Sequence, residues 1–321
     1  MNKPHVATDG ALSSRQPPAF GRLIAGLIVL LGAVLFSTKA VMVKLAMPYG
    51  IDPVSLLLLR MIFAVPLYVL ILFRVRKQQP DHPSVKPHLL QVIFLGMIGY
   101  YLASYFDFVG LAYITASLER VILYLYPTLV LLISVVWLKK NITIHQWLAI
   151  ALCYVGVIVA VGSGNEVSTS ENHWLGVGLI FLSALAYAIY LVGSGELIPK
   201  LGVWVFTCYA MIVSSICIIV HFLLTSEIST LIGYQWPVYG YGIAMAIFAT
   251  VIPSLLISEG IKRIGAGNTA IIGGVGPIST IVLASIFLDE SFSRSQLIGT
   301  LLVIGGVVYI SVKMKQPKTE S

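Results

Sequence analysis

The sequence predicts an all-α polytopic membrane protein: ten transmembrane helices arranged as two inverted five-helix repeats. Three observations lead there. Of 321 residues, 58% are hydrophobic and only 10% charged, and the mean hydropathy is +0.94, which excludes a water-soluble globule. Ten apolar stretches each approach the roughly 20 residues a helix needs to cross the hydrocarbon core. The second half of the chain repeats the first at an offset of 150 residues.

Taken in order, residues 1–22 form a polar, Pro-containing tail with no cleavable leader, expected in the cytoplasm, and the apolar run after Arg22 is long enough to span. The expected spans are 23–46, 53–74, 89–112, 116–138 and 144–162, making a first repeat over 23–163. An outer loop at 164–174 leads to spans at 175–195, 202–223, 237–258, 266–288 and 294–314, a second repeat over 175–314, and a cytoplasmic tail at 315–321. Helices are expected throughout, because backbone groups facing lipid must be satisfied within their own segment. Continuous apolar runs, in place of alternation, disfavour a β-barrel.

The repeat shows when residues 106–159 are laid over 256–309. Gly110 then meets Gly260, Ala116 meets Ala266, Pro127 meets Pro277, Gln146 meets Gln296 and Gly156 meets Gly306. An offset of 151 places Ala33 on Ala184 and Pro48 on Pro199. Five spans per repeat is an odd number, so the copies should be inverted. That arrangement is typical of secondary transporters with a midplane substrate site and alternating access. The alternative is that duplication only enlarged a helical bundle.

Lys and Arg set the orientation. With both termini inside, the inner loops and tails collect most of them, Arg74, Arg76, Lys77, Lys139, Lys140, Lys262 and Arg263 among them, whereas the outer loops hold only Arg294. The net charge of +7 is thus dispersed as an orientation signal, and a nucleic-acid partner is not expected. Cys153, Cys208 and Cys217 fall inside spans without paired spacing, so neither a disulfide framework nor a metal site is implied.

The order of motifs resembles the EamA family of the drug/metabolite transporter superfamily. Phe36-Ser37-Thr38 with Lys44-Leu45-Ala46, Leu59-Arg60 in the second span, and Gly110 through Pro127 with its twin Gly260 through Pro277 carry the likeness. A closing Gln-plus-glycine helix follows in each half, with Gln146 and Gly156, then Gln296, Gly299, Gly305 and Gly306. The resemblance implies a ten-helix carrier of small metabolites, often amino acids, commonly working outward across a bacterial inner membrane. Lys39 and the adjacent Glu119-Arg120 depart from the family pattern.

Lys39, Arg60, Asp107, Glu119 and Arg120 are the candidate substrate-binding or gating residues. Charged groups in a span are costly and mark function by default, and these five fall at similar depth near the outer third. Three positive charges against two negative leave one cation for a substrate anion. Tyr100, Ser104 and Asp107 share a helical face, beside a strip of Tyr101, Tyr105 and Phe108. Arg120 stacks with Tyr124, while Glu119 points about 100° away, so the two are not expected simply to neutralise each other. Ser183, Tyr187, Tyr190 and Ser194 form a polar stripe in the sixth span, and Thr250, Ser254 and Ser258 another in the eighth. Tyrosines in belts and hydroxyls as packing glue are the plainer readings. Pro66, Pro127, Pro253, Gly276 and Pro277 are expected kinks or hinges.

The expected function is a secondary transporter exporting amino acids or related small carboxylates by alternating access, without a cofactor, with membrane lipid and a small-molecule substrate as its partners. The alternative is an exchanger of phosphorylated or nucleotide-linked sugars. An intramembrane lipid-modifying enzyme is disfavoured, because no Asp-rich, H-E-x-x-H, G-x-S-x-G or Walker motif is present. Proton coupling through Asp107 or Glu119 is left open, since burial favours the proton and a neighbouring cation opposes it. A homodimer is equally open, and His221 reads as an interfacial side chain.

Overall fold

The computed structural model describes residues 19–78, 83–139, 143–162, 172–273, 275–291 and 293–313. The expected tails lie outside these residues except for 19–22, and the loop at 164–174 except for 172–174. Every regular element described is helical. The helices are α1 (Ala19–Ala46), α2 (Pro53–Gln78), α3 (Leu89–Gly96), α4 (Ala103–Gly110), α5 (Ala116–Leu123), α6 (Tyr126–Leu138) and α7 (Ile144–Gly162). After them come α8 (His173–Leu201), α9 (Val203–Thr225), α10 (Ile228–Ile232), α11 (Trp236–Ala246), α12 (Ile252–Gly273), α13 (Gly276–Phe287) and α14 (Arg294–Lys313).

Among the described residues, eight helical stretches are long and apolar enough to cross a membrane, with two shorter apolar helices at Gly276–Phe287 and Arg294–Tyr309. The chain is an integral, polytopic membrane protein. The expected ends of the eighth and ninth spans need correction. Helix α12 runs unbroken through the loop expected at 259–265, and the interruption comes only before Pro277. In the first half the chain does break after Gly110, where Thr115 caps α5 by accepting from the Leu118 amide at 3.2 Å. Gly265 stands at the equivalent position, with no side chain to offer a competing cap.

Irregular backbone recurs at the repeat offset. The π-helical turns Met97–Leu102 and Ile247–Val251 interrupt equivalent helices. Proline takes the second residue of both α6 and α13, after caps at Leu125 and Val275 with nearly the same backbone angles. Pro127 and Pro277 therefore start helices where kinks inside continuous helices were expected, because the first turn leaves N–H groups unpaired anyway. Lys139 and Asp289, also 150 apart, are the two non-glycine residues with positive φ among the described residues.

Helix α1 packs on α12, α4 on α8, α2 on α9 and α7 on α14. The last pair is set by small residues. A Cβ on Gly156 would lie 2.7 Å from the Gly299 carbonyl oxygen and 2.9 Å from Val303, and one on Gly306 would lie 2.9 Å from the Ala149 oxygen and press on the Cys153 sulfur. The partners descend as α7 ascends, so α7 and α14 are antiparallel. They cross where Cys153 donates to the Val303 carbonyl at 3.5 Å.

At the start of α2, Asp52 accepts from the amides of Val54 and Ser55, both at 2.9 Å, and from Tyr234 at 3.1 Å. Partial burial opposes ionisation of Asp52, but these hydrogen bonds outweigh it and hold its carboxyl below the usual range. A depressed folded pKa stabilises above the unfolded value of about 3.9, and that stability is lost as pH falls through the folded value. Asp52→Ala should therefore cost about 1 kcal/mol at pH 7. The gap in thermal midpoint from wild type should close towards pH 3, and a gap independent of pH would contradict this assignment.

Candidate functional site

The expected charged residues separate into a cluster and an outlier. Lys39 on α1 pairs with Asp107 on α4 and donates to Glu119 Oε1 on α5 at 3.4 Å. Arg120 Nε stands 3.7 Å from Glu119 Oε2, and a terminal nitrogen of Arg120 reaches the Phe36 carbonyl at 3.4 Å. The adjacent Glu119 and Arg120 thus do approach each other, because the long arginine folds back across the helical angle expected to part them. These four residues sum to zero charge.

Arg60 stays out of that cluster. It is 5% exposed, donates to Ser104 Oγ at 3.0 Å and lies over the Phe108 ring at 4.9 Å. It forms no ion pair among the described residues, and its Nε has no hydrogen-bond partner. Asp107, three residues beyond Ser104 and so on the same helical face, keeps Oδ1 unpartnered as well. A buried guanidinium with no carboxylate at ion-pair distance is expensive. One turn beyond Ser104 on α4, the Asp107 carboxylate has one oxygen paired with Lys39 and the other without a hydrogen bond.

The tyrosines divide too. Tyr124, Tyr187 and Tyr190 join one aromatic chain through Tyr126 and Tyr100, with neighbouring centroids 4.8–5.9 Å apart. Tyr190 donates to the Tyr100 hydroxyl at 3.2 Å. Tyr101 and Tyr105 instead meet His221 on α9. The Tyr101 hydroxyl lies 2.8 Å from His221 Nδ1, and the Tyr105 ring stands 5.0 Å from the imidazole, so His221 is a bonded partner of the π turn. Ser183 donates to the Ala103 carbonyl at 2.7 Å, acting as glue between α8 and α4.

Ser254 is engaged by Tyr68 at 3.0 Å, a residue that sequence reasoning missed. Its signal was present: Tyr68 lies eight residues after Arg60 on α2. The sequence also left Glu290 unmarked. Its carboxylate accepts from the Ala116 amide at 2.8 Å, the Ser117 amide at 3.1 Å and the Ser117 hydroxyl at 2.7 Å, clasping the α5 N-terminus favourably. Among the hinge candidates, the Gly276 carbonyl accepts from Ser37 on α1 at 2.9 Å, while Pro253 sits in the first turn of α12, directly after the π turn. Among the described residues no His, Cys, Asp and Glu grouping has metal-site geometry.

The sequence profile of the EamA-like transporter family matches residues 23–162 and again 174–312. The chain belongs to the EamA-like transporter family. An uncharacterized transporter of Bacillus subtilis, YcbK, is 32% identical over 298 residues, covering 92% of this chain and 94% of its own. An uncharacterized transporter of Synechocystis, sll1319, is 25% identical over 325 residues, covering 92% and 96%. One solved crystal structure shares the fold at a TM-score of 0.63 and 16% identity, covering 93% of this chain and 99% of its own. This EamA-like chain is therefore a membrane transporter.

Proposed function

We propose that this chain is a ten-helix secondary transporter built from two inverted five-helix repeats. In this reading it sits in a bacterial plasma membrane with both termini cytoplasmic and exports amino acids or related small carboxylates by alternating access. The observation that carries the substrate class is Arg60: a buried cation with no carboxylate at ion-pair distance among the described residues, bonded to Ser104 one helical turn before a half-satisfied Asp107. A carboxylate would complete the guanidinium by a two-pronged hydrogen bond, and an ammonium would complete Asp107. The inverted arrangement is supported by the exchange of partners between α7 and α14, where Gly156 meets Gly299 and Gly306 meets Ala149. Each of those pairs becomes the other when 150 is added to one member and subtracted from its partner.

Lys39, Glu119 and Arg120 close the outer end in this reading, and the Glu290 clasp on α5 belongs to the same closure. The helix breaks before Pro127 and before Gly276-Pro277, with Pro253 beside the second π turn, supply the hinges. The test is counterflow uptake in proteoliposomes from a pool of labelled amino acids and small carboxylates. Wild type should accumulate at least one, and Glu119→Gln should lower its uptake by at least about tenfold, the cost of ~1.4 kcal/mol from a broken charged network. If no carboxylate accumulates while phosphorylated sugars do, the carboxylate assignment is wrong and Arg60 serves a phosphate.

A further inference from the structure

The pseudo-equivalent serines Ser104 and Ser254 are both engaged by the same helix. Arg60 on α2 donates to Ser104, and Tyr68 on α2 hydrogen-bonds Ser254. Each serine follows a π turn, at Met97–Leu102 and Ile247–Val251, and π turns recur at functional sites. Arg60 and Tyr68 are separated by about 12 Å along α2 and about 80° around it. Ala64, fully buried, lies between them and fills little space. One flank of α2 therefore presents a cation at one end and a phenol at the other, each held by the matching serine of a different half.

The contact between the Tyr68 and Ser254 hydroxyls, 3.0 Å apart, can run in either direction, because Ser254 also reaches the Val251 carbonyl at 2.8 Å and Tyr68 the Thr250 carbonyl at 3.5 Å. A phenol oxygen carries one hydrogen and two lone pairs, so whichever way that bond runs, Tyr68 keeps at least one lone pair as an acceptor. Tyr100, on the first π turn, accepts from Tyr190 and so retains its own hydrogen to give.

We infer that Tyr68 is a specificity-determining residue of the transport site: it accepts a hydrogen bond from a hydroxyl or N–H group at the far end of a carboxylate whose near end is held by Arg60. The inference rests on the carboxylate reading above. Substrates of this class carry an anionic head and a distal neutral donor, and the deoxy counterpart of each is discriminated against, because it would leave a buried acceptor unpaired.

The test is competition counterflow in proteoliposomes with matched pairs that differ by one hydroxyl: tyrosine against phenylalanine, and threonine against 2-aminobutyrate. Wild type should favour the hydroxylated member of at least one pair by about tenfold, and Tyr68→Phe should collapse that ratio towards one, a span set by ~1–1.5 kcal/mol per neutral hydrogen bond. Ser254→Ala, which removes the group that orients the phenol, should reduce the ratio less. Wild type taking both members of each pair equally overturns the inference and leaves the carboxylate reading standing, as does a preference that Tyr68→Phe retains. Uptake of no member of any pair, by wild type that is folded by size-exclusion chromatography, overturns both. Should Tyr68→Phe fail to fold, the wild-type ratio and Ser254→Ala still decide.

Discussion

Arg60→Gln is expected to lower counterflow uptake of the transported carboxylate by about 10- to 100-fold, the factor that corresponds to losing a charged hydrogen bond worth ~1.5–3 kcal/mol. The side chain is buried on α2, lies over Phe108 and reaches Ser104, so glutamine preserves much of the stem and a polar contact but removes the charge. The loss should appear as a raised half-saturation concentration together with a lower maximal rate, because in this reading the buried guanidinium pairs with the bound anion. Arg60→Lys should fall between, since an ammonium restores charge without the planar fork. Monodispersity of the purified variant separates this loss from misfolding. Wild-type uptake and half-saturation in a well-folded Arg60→Gln would remove Arg60 from the site and with it the basis for a carboxylate substrate.

The second large effect is on stability, at the antiparallel crossing of α7 and α14. A Cβ on Gly299 would press into the Gly156 carbonyl oxygen and lie 2.8 Å from both the Cβ and the backbone nitrogen of Ala160. Most of these atoms are backbone and cannot turn aside, so Gly299→Ala must spread the two helices. Overpacking of this kind costs about 1–3 kcal/mol, a fall of several degrees in the thermal midpoint in detergent. Gly305, six residues along the same helix, has nothing within 4 Å of its would-be Cβ. Gly305→Ala should therefore hold or raise the midpoint, since alanine is the better helix former by up to about 1 kcal/mol. Equal effects from the two substitutions would mean that the close approach at Gly299 does not hold this pair together.

Much of the chain's organisation is legible along the sequence because it is local. Length and apolarity of each stretch determine membrane insertion, and the spacing of Gly110, Pro127, Gln146 and Gly156 against Gly260, Pro277, Gln296 and Gly306 is visible without any structure. The meeting of Lys39, Asp107, Glu119 and Arg120 is legible for a similar reason: residues at one depth in neighbouring helices must find partners where water is absent. The positions of Pro127 and Pro277 announced interruptions, though not that each would begin a new helix.

What the sequence by itself determined is the membrane environment, the helical content and the duplication, which follow from composition, from the length of each apolar run and from the spacing of its special residues. Only the tertiary structure decided that Arg60 is left out of the ionic cluster and that Tyr101 and Tyr105 turn to His221 while Tyr100 turns to Tyr190. It alone showed that Tyr68 reaches Ser254 across 186 residues and that Glu290 clasps α5 across 173–174. The physical reason is rotation. A helix of known depth can still face any direction about its own axis, and that direction is set by which glycine faces another helix, as at Gly156 and Gly299, so side-chain partners are chosen by packing between segments distant in sequence.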